Sequence, residues 1–260
     1  MRRFTIAIAA LAAVAVAGCS SSSSSSTSST SSPAASSTGT ITVFAAASLM
    51  GTFTQLGQQF DAAHPGDTVK FSFGPSDGLA TQISSGAPAD VFASASTKTM
   101  TTVVTAGDAA SPQNFAKNVM EVAVPPSNPA KVTSVTDLAK KSVKVALCQP
   151  TVPCGVVAAE VFKNAGITVK PVTLQADVKS VLTQVELGNV DAGMVYVTDV
   201  MAAGTKVMGV MSPANDNAST LYPIATISSS KHKSEAQAFV AYVLSPAGQQ
   251  VLTAAGFQKP

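Results

Sequence analysis

Apolar and polar positions divide the chain into a series of short blocks. Thr40-Ile41-Thr42-Val43-Phe44-Ala45 is an apolar run that predicts a buried strand. Leu49, Phe53, Leu56 and Phe60 follow at the spacing of an amphipathic helix, with Ser48 at its start as a candidate N-cap. After the break at His64-Pro65-Gly66-Asp67, Val69 to Phe73 predicts a second strand and Gly74-Pro75-Ser76-Asp77-Gly78 a tight turn. Leu79 to Ser84 then reads as a helix and Ala89 to Ala93 as a third strand. Val119 to Val124 is a strand stopped by Pro125-Pro126, and the alternation resumes beyond it. Strand Val143 to Leu147, helix Gly155 to Asn164, strand Val169 to Leu174, helix Val178 to Leu187 and strand Asp191 to Val197 follow in order. Leu221 to Ile227 reads as a strand returning to the first set, and helices Ser234 to Leu244 and Pro246 to Ala255 close the chain. Such alternation predicts an α/β fold with a parallel-rich sheet. Two sets joined by crossings near Val122–Pro126 and Ala218–Tyr222 suit two lobes with a hinge and a cleft. The first would hold 41–122 plus 222–260, the second 123–221.

The first forty residues break this pattern. Met1-Arg2-Arg3 is basic, and Phe4 to Ala17 is apolar over too few residues for a membrane-spanning helix, which takes ~20. Residues 1–18 therefore predict a signal peptide. Ser20 to Thr40 is almost all Ser and Thr, so 19–40 reads as a disordered tether. The chain carries 16 Lys+Arg against 14 Asp+Glu, and its two arginines, Arg2 and Arg3, both fall in the leader. The body is thus charge-balanced and without Arg. That removes the basic footprint of a nucleic-acid binder and the guanidinium fork usual for phosphorylated substrates. Two His and three Cys are too few for a cysteine-rich zinc framework or an iron–sulfur protein, so no metal and no cofactor are expected.

Open α/β sheets bind ligands beyond the carboxyl ends of their strands. Four strand-to-helix junctions carry small or special residues: Ala47-Ser48-Leu49, the turn around Ser76, Pro153-Cys154-Gly155 and Asp177-Val178. Helix starts offer unpaired N–H groups and a partial positive charge, a setting for anions. The alternative is that Ser48 and Ser76 only cap their helices.

Two resemblances sharpen this picture. Val16-Ala17-Gly18-Cys19 resembles the lipobox of bacterial lipoproteins, which implies cleavage before Cys19 and a diacylglycerol on its sulfur. Ile41-Thr42-Val43-Phe44-Ala45-Ala46-Ala47-Ser48-Leu49 resembles the opening of the molybdate-binding proteins of ABC transporters. Gly86-Ala87-Pro88-Ala89-Asp90-Val91-Phe92 is similar to the family's next signature, Gly193-Met194-Val195-Tyr196 with Asp199 to its tyrosine strand, and Ala255-Gly256-Phe257 to its closing turn. The likeness covers about 40–260. It implies a two-lobed type II periplasmic-binding fold that closes on a tetrahedral dianion, molybdate or tungstate. It further implies a monomeric carrier, held outside the membrane by its lipid, that delivers the ion to importer permease subunits. By position, Ser48 and Ser76 would offer hydroxyl and N–H groups, Cys154 and Val178 backbone N–H groups, and Tyr196 its phenol. The second junction departs from the family's Ser-rich turn: Pro75 has no N–H, and Asp77 would either cap its helix or face the guest.

Three other readings compete or add. One is a carrier of sulfate or another tetrahedral oxyanion; sulfate, also a tetrahedral dianion, is told from molybdate by cavity size. Gly74-Pro75-Ser76-Asp77-Gly78 also fits the G-x-S-x-G elbow of serine esterases, with Asp177, Asp191 or Asp199 and then His232 in the required order. Against that, too little chain precedes Ser76, and His232 lies in a polar turn, so no enzyme is expected. Cys148 and Cys154, in an exported body with Cys19 occupied by lipid, are expected to form a disulfide.

Overall fold

The computed structural model describes residues 39–260; the expected signal peptide, the lipidated Cys19 and the tether up to residue 38 lie outside them. β1 (Thr40–Ala46) lies between β2 (Thr68–Gly74) and β3 (Val91–Ala93), parallel to both. A strand covered on both faces reads as a continuous apolar run, which is why β1 lacks alternation. α1 (Met50–Ala63) buries Phe53, Leu56 and Phe60, the stripe visible in the sequence. It starts later than predicted, because Ala47–Leu49 form one turn of 3-10 helix, and Ser48 makes no cap bond. α2 (Ser76–Ser84) follows β2, and α3 (Thr97–Thr105) follows β3.

β4 (Gln113–Val124) is the long member of the sheet. Beyond it come β5 (Val145–Cys148), α4 (Pro153–Asn164), β6 (Thr173–Gln175), α5 (Val178–Glu186), β7 (Ala192–Tyr196), α6 (Val197–Ala203) and β8 (Met208–Val210). β9 (Ser219–Thr226), α7 (Lys233–Leu244) and α8 (Pro246–Ala254) complete the chain. The strands run β2-β1-β3-β9-β4-β7-β5-β6, with β8 also paired to β4. β4 changes partner along its length. Gln113 to Val119 pair antiparallel with β9, whereas Met120 to Val124 pair with β7 and β8. The apolar interior changes with it. Phe53, Phe60, Phe115 and Phe239 anchor one cluster on the first side, with a second around Phe92 and Met100. A separate cluster on the other side gathers Met120, Val145, Val161, Val181 and Val195.

β6 begins later than the predicted Val169: Pro171 has no N–H to give a ladder, and the first backbone bond to β5 is from the Val172 N–H to Val145 O at 2.9 Å. β7 ends at Tyr196 because Val197 opens α6, where Asp199 Oδ2 accepts the Tyr196 N–H at 3.0 Å.

One acid on β4 stands out. Glu121 is buried and faces Gly209 so closely that a Cβ there would meet its Oε1 at 2.2 Å. Burial pushes its carboxyl above the usual range. The fold therefore favours the protonated form. Its contribution to stability is complete below the ordinary glutamate range and is lost as pH rises through the raised value. Glu121→Gln keeps the shape without the charge. In melts from pH 4 to 8 it is expected to match wild type at the acid end. At pH 8 it should unfold roughly 2–4 °C higher, the shift that about 1 kcal/mol gives a domain of this size.

Candidate functional site

The carboxyl ends of β1, β2, β5, β6 and β7 point to one cavity of ≈ 20 Å³. From the first side it is lined by Ala46, Ala47 and Ser48, by Gly74, Pro75 and Ser76 at the start of α2, and by Ala95. From the other side come Val152, Pro153 and Cys154 at the start of α4, Ala176, Asp177 and Val178 at the start of α5, and Tyr196. The five binding residues expected from the sequence, Ser48, Ser76, Cys154, Val178 and Tyr196, all line this space, and all are buried. One water needs ~10–15 Å³ on this scale, so the room is that of one small guest.

Ser76, Cys154 and Val178 each occupy a first helical turn, where helix geometry supplies no carbonyl for the N–H. Neither serine caps its helix. Ser76 Oγ accepts the N–H of Ala95 at 3.1 Å, which leaves its own proton available. Ser48 Oγ lies 2.8 Å from Tyr222 Oη. Tyr196 Oη is buried with no hydrogen-bond partner among the described residues. Burial, then the neighbouring Tyr222 and Asp199, hold its phenol well above the ordinary tyrosine range, so it remains a donor.

Three charged groups nearby, Asp177, Lys179 and Asp199, are committed to other partners. Asp177 lines the cavity, but its Oδ1 accepts the Ser180 N–H at 2.9 Å and caps α5. Lys179 Nζ pairs with Asp199 Oδ1 at 2.8 Å. Asp199 is fully buried, and burial raises its carboxyl above the usual range against the pull of Lys179. Asp77 is not among the lining residues. It does not cap α2 either: Pro75 holds the N-cap position, and Asp77, inside the first turn, has Oδ1 buried without a hydrogen-bond partner among the described residues. Cys148 and Cys154 are joined as a disulfide with Cα atoms 5.8 Å apart, tying the end of β5 to the first turn of α4.

The esterase arrangement does not assemble. Ser76 Oγ is bonded to Ala95, Asp191 Oδ2 to Lys144 N, and Asp177 and Asp199 as above. The backbone of His232 donates to Ser230 Oγ, and its ring lies beside Gly39. Among the described residues no hydrogen bond joins Ser76, His232 and an aspartate. The sequence reading missed Asn118, Tyr222 and the Lys179–Asp199 pair. Tyr222 fell within a strand already predicted, and no local pattern marked its hydroxyl.

The fold and this site define a class. A model of the family described as bacterial extracellular solute-binding protein matches residues 41–258, and the chain belongs to that family. Among its relatives is the molybdate-binding protein ModA of Mycobacterium tuberculosis, 43% identical over 235 residues that cover 88% of this chain and 90% of the relative. The periplasmic molybdate-binding protein of Azotobacter vinelandii superposes with a TM-score of 0.76 at 24% identity, covering 85% of this chain and 99% of that one. The sulfate-binding protein SubI of M. tuberculosis also gives 0.76, at 19% identity and 85% and 86% coverage. The architecture is thus the two-lobed periplasmic-binding fold, and fold alone does not separate these two oxyanions.

Proposed function

We propose that the chain captures molybdate, and tungstate with it, outside the membrane and delivers it to an ABC importer. One observation carries the reading: three helix starts and three hydroxyl groups from both sides of the β4 partner change line a single small cavity, and one of them, the phenol of Tyr196, has no hydrogen-bond partner among the described residues. Each hydrogen bond to a charged acceptor contributes roughly 1.5–3 kcal/mol. Several together exceed the ~8 kcal/mol of micromolar affinity, after the costs of binding. The identity with molybdate-binding relatives over most of the chain supports the choice of ion.

The lobe division 41–122 plus 222–260 against 123–221 is supported by the change of ladder and core within β4. The lobes close on the ion, and the permease subunits receive the closed form. Cys19 anchors the monomeric carrier through its lipid. No covalent chemistry is involved. A site of donors rejects protonated oxyanions, whose hydroxyl would find no acceptor.

Calorimetric titration of residues 40–260 with molybdate, tungstate, sulfate and phosphate tests this. Molybdate is expected to bind with a Kd below about 1 μM, and sulfate at least about a hundredfold more weakly, a difference near 3 kcal/mol. Preferential sulfate binding would make the chain a sulfate carrier instead. Tyr196→Phe is expected to weaken molybdate by roughly 1–3 kcal/mol, the cost of one charge-assisted bond. An unchanged affinity would remove Tyr196 from the site.

A further inference from the structure

Ser48 meets the cavity with a hydroxyl whose direction is set from behind. Its Oγ is 2.8 Å from Tyr222 Oη, and Asn118 decides the polarity of that contact. Asn118 Oδ1 accepts the N–H of Val119 at 3.0 Å, so its Nδ2 faces Thr198 Oγ1 at 2.8 Å and Tyr222 Oη at 3.4 Å. An amide nitrogen only donates, so Tyr222 Oη receives there and has its one proton left for Ser48. Tyr196 Oη, though near enough to perturb the Tyr222 phenol, makes no hydrogen bond of good geometry among the described residues, so the Tyr222 proton is left for Ser48. Burial pushes the Tyr222 phenol above the ordinary tyrosine range, so that proton is kept. Ser48 Oγ thus accepts from Tyr222 and turns its own proton to the cavity.

We propose that Tyr222, held by Asn118, is a positioning and specificity-determining residue that fixes Ser48 as a donor toward the bound anion and so disfavours protonated oxyanions. Asn118 and Tyr222 lie on β4 and β9, whose ladder runs from Gln113 to Val119 up to the partner change. The direction of the Ser48 hydroxyl is therefore set by these paired strands and not by its own 3-10 turn. Without the Tyr222 proton, Ser48 Oγ is free to accept from a guest, and the O–H of a phosphate would find a partner. This inference rests on the oxyanion reading above.

Tyr222→Phe keeps the ring contacts with Phe115 and Phe257, at 6.1 and 5.4 Å between centroids. Molybdate affinity is read by calorimetry, and inorganic phosphate by competition at pH 7. The variant is expected to bind molybdate about tenfold more weakly, with the molybdate-to-phosphate ratio falling by about tenfold or more. In a Ser48→Ala background the same change should alter either affinity by no more than about twofold, because the relay acts only through Ser48. A purely structural role would weaken molybdate alike in both backgrounds. That additive outcome, or an unchanged selectivity, overturns the proposal. Asn118→Ala gives a second cycle, with an expected loss of about threefold that also vanishes with Ser48→Ala, and it decides the matter if Tyr222→Phe does not fold. Wild-type protein indifferent to all four anions overturns the carrier reading and the relay with it. Wild-type binding with an additive cycle overturns the relay alone.

Discussion

Replacing Gly155 by alanine is expected to abolish tight anion binding while leaving a folded, less stable protein. A Cβ at this position would lie 1.9 Å from the Gln149 carbonyl oxygen, 2.8 Å from its carbon and 3.1 Å from the Cys148 oxygen. These are backbone atoms, so no rotamer relieves the clash, and either α4 or the segment from Cys148 to Val152 must shift. That segment is tethered. The disulfide holds Cys148 to Cys154, and the Gln149 N–H donates to Gln175 O at 2.8 Å. A displacement is therefore passed both to the Val152–Cys154 corner and, through Gln175, to the entrance of α5. Both carry lining groups of the cavity. Overpacking of this kind costs roughly 1–3 kcal/mol of stability, readable by urea denaturation. A shift of about 1 Å in the donors is expected to lower molybdate affinity by ~100-fold or more. Gly51 on α1 is the control: a Cβ there meets nothing within 4 Å, and Gly51→Ala should leave binding intact and stability equal or higher. A Gly155→Ala protein with wild-type affinity would show that the α4 corner takes no part in gripping the ion.

The elements legible in the sequence were those whose packing face coincides with a local period. The stripe Leu49, Phe53, Leu56, Phe60 is wholly buried, as is the face Val178, Val181, Leu182, Val185 of α5. α3 was not legible. Its sequence, Thr97 to Thr105, is rich in β-branched residues of low helix propensity, and it is helical because Ser96 caps it and Met100 and Val103 are buried. Three-residue strands such as β8 exist through pairing with β4, which no local pattern announces. The candidate site shows the same division. Helix starts are local features and could be picked out. The roles of the serine hydroxyls could not, because their partners lie far along the chain: Ala95 for Ser76, and Tyr222 for Ser48. Capping is the usual use of a serine at such places, and here both hydroxyls are held by tertiary contacts instead.

Lys179→Met is expected to cost about 3–5 kcal/mol at pH 7.5, the usual result of stripping a buried charge of its partner. The pair is unequal: the Lys179 side chain is 26% exposed and that of Asp199 0%, so the carboxylate bears most of the desolvation. Without the ammonium, burial, which already raises the Asp199 carboxyl, is opposed mainly by the Tyr196 N–H. The sign of the pH dependence follows. Below the ordinary aspartate range both folded and unfolded forms are protonated, and the deficit is small. It grows as pH rises and the unfolded chain ionises ahead of the folded one, then levels above the raised value. Anion affinity should fall over the same range, since an uncompensated carboxylate would stand next to Tyr196 and repel a dianion. Adding Asp199→Asn keeps a carbonyl oxygen for the Tyr196 N–H and removes the charge. The double variant is therefore expected to regain most of the stability in urea melts and nearly all of the molybdate affinity by calorimetry. Stability restored without affinity would mean that the ammonium itself touches the ion. The grip would then depend on a cation, and a site built from neutral donors, with Lys179 serving only to cancel Asp199, would have to be given up.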